Sequence, residues 1–313
     1  MRSGTRDIFG DAPAAVPATE GSYGEAPPGF RLPKETRLDR VSLQVADLAR
    51  SIEFYEEILG FRTVDGHASV AVLAARGDDT PIIELHEHPG AKSTPVRSRL
   101  GLFHFAILLP DRQSLGRFAR HLGNIGARAG ASDHLVSEAF YLQDPDNLGI
   151  EVYADRPRGT WMRVGSELMM ATDPIDMNAL VAAADGPWTG MPPGTTIGHV
   201  HLHVGDIETA SRFYSDAVGF DRIVWHYPGA LFLSAGGYHH HLGTNTWAGN
   251  APSPTPDEAK LLEWSVRLPD EVAQTALTES LNRAGYATAQ DEAGLVVRDP
   301  WGTQVRFTIA PAQ

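Results

Sequence analysis

The sequence contains no cysteine. That absence excludes disulfides, thiolate metal sites, iron–sulfur clusters and a cysteine nucleophile. Basic residues are also scarce, because 26 Lys and Arg stand against 39 Asp and Glu, a formal net charge of −13 at pH 7. Nucleic acid and anionic membrane surfaces bind proteins through clustered Lys and Arg, so we expect neither as a partner.

Long apolar segments are missing as well. No apolar run approaches the roughly 20 residues of a membrane span, and the start, MRSGTRDIFG, lacks the apolar core of a signal peptide. We therefore expect a soluble, cytoplasmic protein. The 313 residues, 42% hydrophobic and 21% charged, have a globular composition and suffice for two domains.

One eight-residue pattern occurs four times. It reads RVSLQVAD, HFAILLPD, HVHLHVGD and EWSVRLPD, and it starts at Arg40, His104, His199 and Glu263. Apolar residues alternate in each copy, as in a half-buried strand, and each copy ends in aspartate. The starts are 64, 95 and 64 residues apart, which is a pair of pairs. We interpret the pattern as an internal repeat whose first-position histidine is present in two copies.

Each copy begins a unit of one strand, one helix and about three further strands. Two of the predicted helices carry FYxxxxGF, in which the aromatics suit a core-facing side and the glycine suits a helix C-terminus. The predicted fold is α+β, with four βαβββ modules that should pair to bury their sheets. The predicted bounds are 1–36 for an N-terminal arm, 37–97 for module 1, 98–157 for module 2, 158–196 for a linker, 197–248 for module 3 and 249–313 for module 4.

Seven of the thirteen histidines lie between His199 and His241. Alternation in HVHLHV places His199, His201 and His203 on one face of a strand. Three imidazoles on a core-facing strand would be costly to bury without partners, and a metal or a polar cavity removes that cost. A solvated edge strand with scattered histidines is the alternative.

His104, Glu151 and His199 form a candidate metal site. His104 occupies the repeat position equivalent to His199, and Glu151 interrupts the apolar strand IEVY of the same module as His104. Two neutral imidazoles and one carboxylate make a 2-His-1-carboxylate triad, which leaves positions open for substrate and dioxygen. Without a thiolate to favour zinc or copper, this set suits Fe(II), with Mn(II) possible.

With these residues the chain resembles the vicinal oxygen chelate superfamily and, within it, the type I extradiol dioxygenases, especially bacterial catechol 2,3-dioxygenases. Five segments carry the resemblance: GHVHLHVGD, LFHFAILLPD, DHLVSEAFY, DPDNLGIEVY and LFLSAGGYHHHLG. It covers residues from about 37 to 310 and implies that the four modules pair into two cup-shaped barrels. It implies that catechol and O2 are the small-molecule partners. The implied reaction opens the ring beside the diol to 2-hydroxymuconic semialdehyde, in aromatic compound degradation.

The resemblance also implies roles for single residues. The histidine run matches the paired-histidine segment of the family and nominates His240 as the acid–base residue, although His239 or His241 could be its equivalent. Tyr141 is expected to donate a hydrogen bond to a bound substrate oxygen. Two further residues are implied beside the metal, where they would orient oxygen and substrate: His134 and His201.

The order of the modules departs from the family. There the repeat with the paired histidines precedes the repeat with the glutamate, whereas here it follows. If consecutive modules paired, His104 and Glu151 would share a cup with Arg40 and Glu84, and the arginine would repel a cation. Only the pairing of module 2 with module 3, and of module 1 with module 4, brings the candidate ligands and the histidine run into one cup. We expect modules 1 and 4 to form a structural cup, and exposed cup edges to favour a homo-oligomer.

Two other functions occur in the same superfamily. A glyoxalase-type isomerase would use more carboxylate ligands and would not need the histidine run or Tyr141. A non-catalytic small-molecule binder of the bleomycin-resistance type would need no metal triad. The combination of His104, Glu151 and His199 favours the dioxygenase over both.

Overall fold

The computed structural model describes residues 14–310. The first thirteen residues of the predicted arm therefore lie outside the described range. Within the rest of the arm, the one regular element is the two-residue strand β1, Val16–Pro17. No helix between residues 14 and 310 is long and apolar enough to cross a membrane.

The predicted order of one strand, one helix and three strands occurs in all four modules. Module 1 contains β2 (Arg37–Val45), α1 (Leu48–Glu53) with a π-helical continuation (Phe54–Ile58), β3 (Arg62–His67), β4 (Val70–Ala74) and β5 (Pro81–Glu87). Module 2 contains β6 (Gly101–Leu108), α2 (Arg112–Ile125), β7 (Gly130–Asp133), β8 (Ser137–Gln143) and β9 (Gly149–Asp155). The connection holds a 3-10 turn (Arg158–Thr160), β10 (Met162–Val164), β11 (Glu167–Leu168) and α3 (Met177–Ala182).

The second half of the chain repeats the arrangement. Module 3 contains β12 (Thr196–His203), α4 (Ile207–Ser211) with a π-helical continuation (Arg212–Ala217), β13 (Asp221–Val224), β14 (Ala230–Ser234) and β15 (Leu242–Asn245). Module 4 contains β16 (Lys260–Leu268), α5 (Glu271–Arg283), β17 (Thr288–Asp291), β18 (Gly294–Arg298) and β19 (Gln304–Ile309). The module bounds derived from the sequence remain predictions.

The strands form two eight-stranded sheets. One has the order β13-β14-β15-β12-β6-β9-β8-β7, and the other β17-β18-β19-β16-β2-β5-β4-β3. Module 2 therefore pairs with module 3, and module 1 with module 4, which confirms the pairing predicted from the ligands. Antiparallel ladders between β12 and β6, and between β16 and β2, join the modules.

The core lies between the two sheets. Phe105 and Ile107 of β6 and Val200 of β12 belong to the same hydrophobic cluster as Val41 and Leu43 of β2. The alternate residues of β6 and β12, which include the candidate ligands, face the other side of their sheet. β12 is nevertheless buried on both sides along almost all of its length, which differs from the predicted half-buried strand. The histidine face is buried because other segments cover it.

The repeated aspartate of the sequence pattern caps the helix that follows it. In all four copies the aspartate has an extended backbone conformation and directly precedes a helix. Its carboxylate accepts a hydrogen bond from a backbone N–H of the first helical turn. Such capping satisfies N–H groups that have no partner within the helix and typically stabilises by about 1 kcal/mol. The capping residues are Asp47, Asp111, Asp206 and Asp270.

The FYxxxxGF helices tie the two sheets together. Tyr55 in module 1 donates to Asp144 in module 2 at 3.5 Å, and Tyr214 in module 3 donates to Asp299 in module 4 at 2.9 Å. Each bond thus joins modules that are consecutive in the chain but belong to different sheets. Glycine is required at Gly60, where φ is +83° and a Cβ would lie 2.6 Å from a backbone carbon. The tyrosines are core residues, as predicted, with one polar contact each.

Asp144→Asn is expected to reduce the pH dependence of stability. Burial outweighs the backbone hydrogen bonds of Asp144 and raises its pKa from 3.8 to about 7. The folded state therefore binds this proton more tightly than the unfolded state. The resulting stabilisation is complete below about pH 4 and is lost as the pH rises through about 7. Asparagine can still accept the two backbone hydrogen bonds through its Oδ1 and does not titrate. The loss of stability between pH 5 and 8 should therefore shrink by about 2 kcal/mol.

Urea unfolding of the metal-free protein at both pH values measures this effect. The exposed carboxylate variant Asp257→Asn serves as the control and should behave like the unmodified protein. Equal pH dependence in Asp144→Asn and the unmodified protein would contradict the buried neutral carboxyl.

Candidate metal centre

The three predicted ligands meet on neighbouring strands. His104 lies on β6, Glu151 on β9 and His199 on β12, and β6 is the middle strand of the three. His104 Nε2 is 3.3 Å from His199 Nε2 and 3.1 Å from Glu151 Oε2. His199 Nε2 is 3.2 Å from the same carboxylate oxygen. All three side chains are almost completely buried, so three potential ligand atoms converge on one point inside the protein.

A common strand register explains why these residues meet. In each module the first strand pairs in parallel with the last strand. The third residue of the repeated pattern lies on the first strand, and in each module it pairs with the equivalent position of the last strand. The four pairs are Ser42 with Glu84, Ala106 with Glu151, His201 with Gly243 and Ser265 with Arg306. The metal-ligand positions of one module therefore have counterparts in every other module.

The counterpart positions in the sheet of modules 1 and 4 contain ion pairs. Arg40 contacts Glu84 at 3.4 Å, and Arg306 contacts Glu263 at 2.7 Å. Each positive charge has a carboxylate beside it, so this arrangement needs no cation. In the sheet of modules 2 and 3, the position equivalent to Glu84 in module 3 is Gly243, so this register adds no fourth carboxylate to the three candidate ligands.

The protonation states of the site fit a metal ion. Burial opposes ionisation of the Glu151 carboxyl, but its interactions with His199 and His104 outweigh burial and hold its pKa well below 4.5. Burial lowers the pKa of His199 to about 4, so this imidazole is neutral at pH 7. Ligands that are each about 2.0–2.2 Å from one ion lie roughly 3 Å apart, as these atoms do. The three residues could hold a metal ion.

A cavity of about 280 Å³ adjoins the three ligand atoms. Its size is near the lower end of small-molecule sites, which span about 300–1,000 Å³. The remaining predicted site residues, His134, Tyr141, His201 and His240, all line it. The structure thus brings together every predicted ligand and every predicted site residue around one cavity; their functional roles remain predictions.

The structure distinguishes the three consecutive histidines. His240 lines the cavity, and its ring centroid lies 4.0 Å from that of His199. His239 points to Asp155, whose carboxylate lies 2.9 Å from His239 Nε2. His241 Nδ1 accepts a hydrogen bond from the backbone N–H of Ala235. Of the three, His240 alone is placed to contact a molecule in the cavity.

A buried hydrogen-bond chain fixes the orientation of His240. His239 donates from Nε2 to Asp155, which leaves His239 Nδ1 as an acceptor. His240 Nδ1 lies 2.7 Å from His239 Nδ1 and must therefore be the donor of that pair. The free lone pair of His240 is then on Nε2. Burial, followed by the nearby His199, lowers the pKa of His240 well below 6.5, so the ring is neutral and Nε2 carries its free lone pair.

His134 and Tyr141 form a second oriented pair. His134 Nδ1 lies 2.6 Å from the carbonyl oxygen of Ala171 and donates to it. His134 Nε2 therefore accepts from the Tyr141 hydroxyl at 2.5 Å in the neutral imidazole. Burial and the nearby Glu151 raise the pKa of Tyr141 well above 10, so the phenol keeps its proton. In this arrangement the phenol proton is directed to His134 and not to the cavity, which differs from the predicted role of Tyr141 as a hydrogen-bond donor to a substrate oxygen.

His201 presents a polar atom without a partner. Its Nε2 is buried and makes no hydrogen bond with the described residues. The ring packs closely over Gly243, where a Cβ would lie only 2.8 Å from His201 Cγ. A buried imidazole nitrogen without a partner is costly. His203, in contrast, bonds to Asn245 at 2.6 Å.

Several residues around the cavity were not found from the sequence. Asp155 could have been found, because alternation along β9 puts it on the same side as Glu151. The other side chains gave no such signal, since their neighbourhood depends on how the connection and the turns fold over the sheet. These are Phe103, Ser132, Met170, Ala171, Thr172, Tyr227, Phe232 and Trp247.

Comparison with known proteins places the chain in a family. The model of the Glyoxalase/Bleomycin resistance protein/Dioxygenase superfamily matches residues 37–152 and 196–307, and the chain belongs to this superfamily. The chain is 43% identical to the catechol-2,3-dioxygenase of Bacillus subtilis strain 168, over 88% of this chain and 98% of that protein. It is 27% identical to the lactoylglutathione lyase of Neisseria meningitidis serogroup A, over 37% of this chain and 88% of the lyase.

Solved structures show the same fold. A dioxygenase candidate from Bacillus subtilis superimposes with a TM-score of 0.61 at 12% identity, covering 90% of this chain and 87% of that one. Glyoxalase I from Zea mays superimposes with a TM-score of 0.52 at 18% identity, covering 88% and 92% of the two chains. These likenesses confirm the predicted α+β architecture of four modules and two sheets.

Proposed function

We propose that the protein is an extradiol dioxygenase that opens catechol with O2 to 2-hydroxymuconic semialdehyde. Both oxygen atoms of O2 enter the product, and the bond that breaks lies beside the diol. Fe(II), or alternatively Mn(II), would be held by His104, Glu151 and His199. The 43% identity to a catechol-2,3-dioxygenase over nearly the whole chain supports the same reaction class.

One observation carries this proposal. Three potential ligand atoms lie within 3.3 Å of one another beside the cavity, and the fourth position of the same register is Gly243. A bound ion would keep open positions toward the cavity, as a reaction between two small molecules requires. A glyoxalase-type site with more carboxylates does not match this ligand set.

The bound metal would act as a Lewis acid that lowers the hydroxyl pKa of the diol and brings the diol and O2 together. His240, which lines the cavity and is neutral because its pKa is lowered, would take a hydroxyl proton from the diol at Nε2. The resulting imidazolium can later return that proton to an oxygen of the product. Asp155, through His239, keeps His240 in the tautomer that this step needs.

Tyr141, His134 and His201 would orient the substrates. The Tyr141 oxygen is fixed by its bond to His134 and can interact with a substrate hydroxyl. The His201 ring lines the same cavity and would contact the substrates there. Phe232 and Trp247 form aromatic walls that suit a flat ring and restrict water.

Anaerobic loading with Fe(II), followed by catechol and air, tests the proposal. We expect rapid formation of the yellow ring-opened product and uptake of one O2 per catechol. Metal-free protein is the control and should give no colour. Parallel loading with Mn(II) shows which metal supports the reaction.

A metal-loaded protein that opens neither catechol nor methylated catechols would contradict the proposal. If the same sample converted the hemithioacetal of methylglyoxal and glutathione, the protein would be a glyoxalase-type isomerase instead.

A further inference from the structure

A second cavity, of about 450 Å³, lies next to the candidate metal centre. Its wall contains three arginines, Arg97, Arg99 and Arg128, and no Asp or Glu among the described residues. This composition is unusual for a chain with 39 acidic and 26 basic residues. The cavity is therefore a local positive region on a negatively charged protein.

Two of the three arginines have no internal partner. Arg99 forms a two-point ion pair with Glu258, which neutralises it. Arg97 and Arg128 are exposed, and neither forms a hydrogen bond or ion pair with any residue between 14 and 310. Arg97 also has φ = +55°, a conformation that L-residues rarely adopt outside turns and functional sites. Two guanidinium groups thus remain available to an anion.

The positive cavity adjoins the metal cavity. Phe103, His104 and Tyr141 line both cavities and form a wall that the two share. Arg128 lies two residues before Gly130, which pairs with Tyr141 between β7 and β8. The Cα atoms of Arg128 and Tyr141 are therefore within about 13 Å of each other, a gap that a long arginine side chain and a short ligand substituent can close.

The wall between the arginines and the metal site suits a substituted ring. Leu102, Phe103 and Ile150 provide apolar surface, and Gln143 and Asn147 provide neutral hydrogen-bonding groups. A ligand that spans both cavities would place its diol at the metal, its carbon chain along the apolar wall and an anionic end at the arginines. Arginine binds carboxylates through two parallel hydrogen bonds, which favours a carboxylate at this end.

We propose that this cavity binds the carboxylate of an acidic catechol, so that the preferred substrates carry a carboxylate on a short side chain. This inference rests on the proposed dioxygenase function for the role of the ring, and on Arg97 and Arg128 for the acidic group. Without such a site, a net charge of −13 would disfavour anionic substrates.

Pairs of acidic and neutral ligands test the inference. The probes are 3-(3,4-dihydroxyphenyl)propanoate and 3,4-dihydroxyphenylacetate, each compared with its methyl ester, and unsubstituted catechol. Dissociation constants are measured anaerobically on the Fe(II)-loaded protein, where no turnover occurs, and kcat and KM are measured in air. We expect the acids to bind about tenfold more tightly than their esters, with a difference that falls as salt is added.

The double variant Arg97→Gln/Arg128→Gln should weaken binding of the acids about tenfold and leave catechol and the esters unchanged. Arg283→Gln removes an exposed arginine from α5 in the other sheet and is the matched control. The inference is overturned if acid and ester bind equally, if the double variant weakens both alike, or if the control has the same effect.

The two proposals fail in different ways. If catechol is not opened, the dioxygenase proposal fails, whereas the anaerobic comparison of acid and ester still decides whether the arginines bind carboxylate. If catechol is opened but the acids show no preference that depends on Arg97 and Arg128, the dioxygenase proposal stands and the carboxylate site is wrong.

Discussion

Glu151→Gln is expected to remove both metal binding and ring opening. Among the three candidate ligands the carboxylate is the charged one, and it lies within 3.2 Å of both imidazole nitrogens. Glutamine has nearly the same shape but offers a neutral amide, a much weaker ligand for a divalent cation. Since losing a mere outer contact to a metal ligand costs 10–100-fold in affinity, losing the charged ligand should cost at least about a hundredfold. We expect kcat/KM at limiting Fe(II) to fall at least as much.

The repeat provides a matched control for this substitution. Glu84 occupies the same register position in module 1 and forms an ion pair with Arg40. Glu84→Gln should therefore bind iron and open catechol like the unmodified protein. Metal content after gel filtration and colour formation measure both variants. If Glu151→Gln retained bound iron, or if Glu84→Gln lost it, the metal would not lie between modules 2 and 3.

His240→Gln is expected to lower kcat about a hundredfold or more while iron binding is unchanged. His240 touches the cavity but is not one of the three converging ligands, so its loss removes a base and not the metal. Glutamine can still donate a hydrogen bond toward His239, which keeps the surrounding chain in place. Because the proton transfer belongs to the chemical step, we expect kcat to change more than KM.

The neighbouring histidine separates chemistry from folding. His241 is as buried as His240 but bonds to the backbone of Ala235 and does not line the cavity. His241→Gln should therefore keep most of the activity, since a glutamine oxygen can accept the same hydrogen bond. Equal losses in His240→Gln and His241→Gln, with iron still bound, would show that the run supports the loop and not the reaction.

The sequence alone determined which residues could form the centre and how the modules pair. The repeated pattern marks equivalent positions, and strand alternation puts His199 and His201 on one face. The requirement that His104, Glu151 and His199 share one ion then selects the pairing of module 2 with 3. The strand order confirms the pairing, and the ligand roles stay predictions. Both could be inferred because periodicity and ligand chemistry are local properties that can be read along the chain.

Only the tertiary structure decided which histidine of the run faces the cavity. Residues 235–241 form an irregular turn between β14 and β15, where no period of two relates sequence position to side-chain direction. The hydrogen bond between Asp155 and His239 joins residues that are far apart in the chain. The cavity with Arg97 and Arg128 is likewise built from distant segments. Such contacts follow from how loops and connections pack over the sheet, and no local pattern encodes that packing.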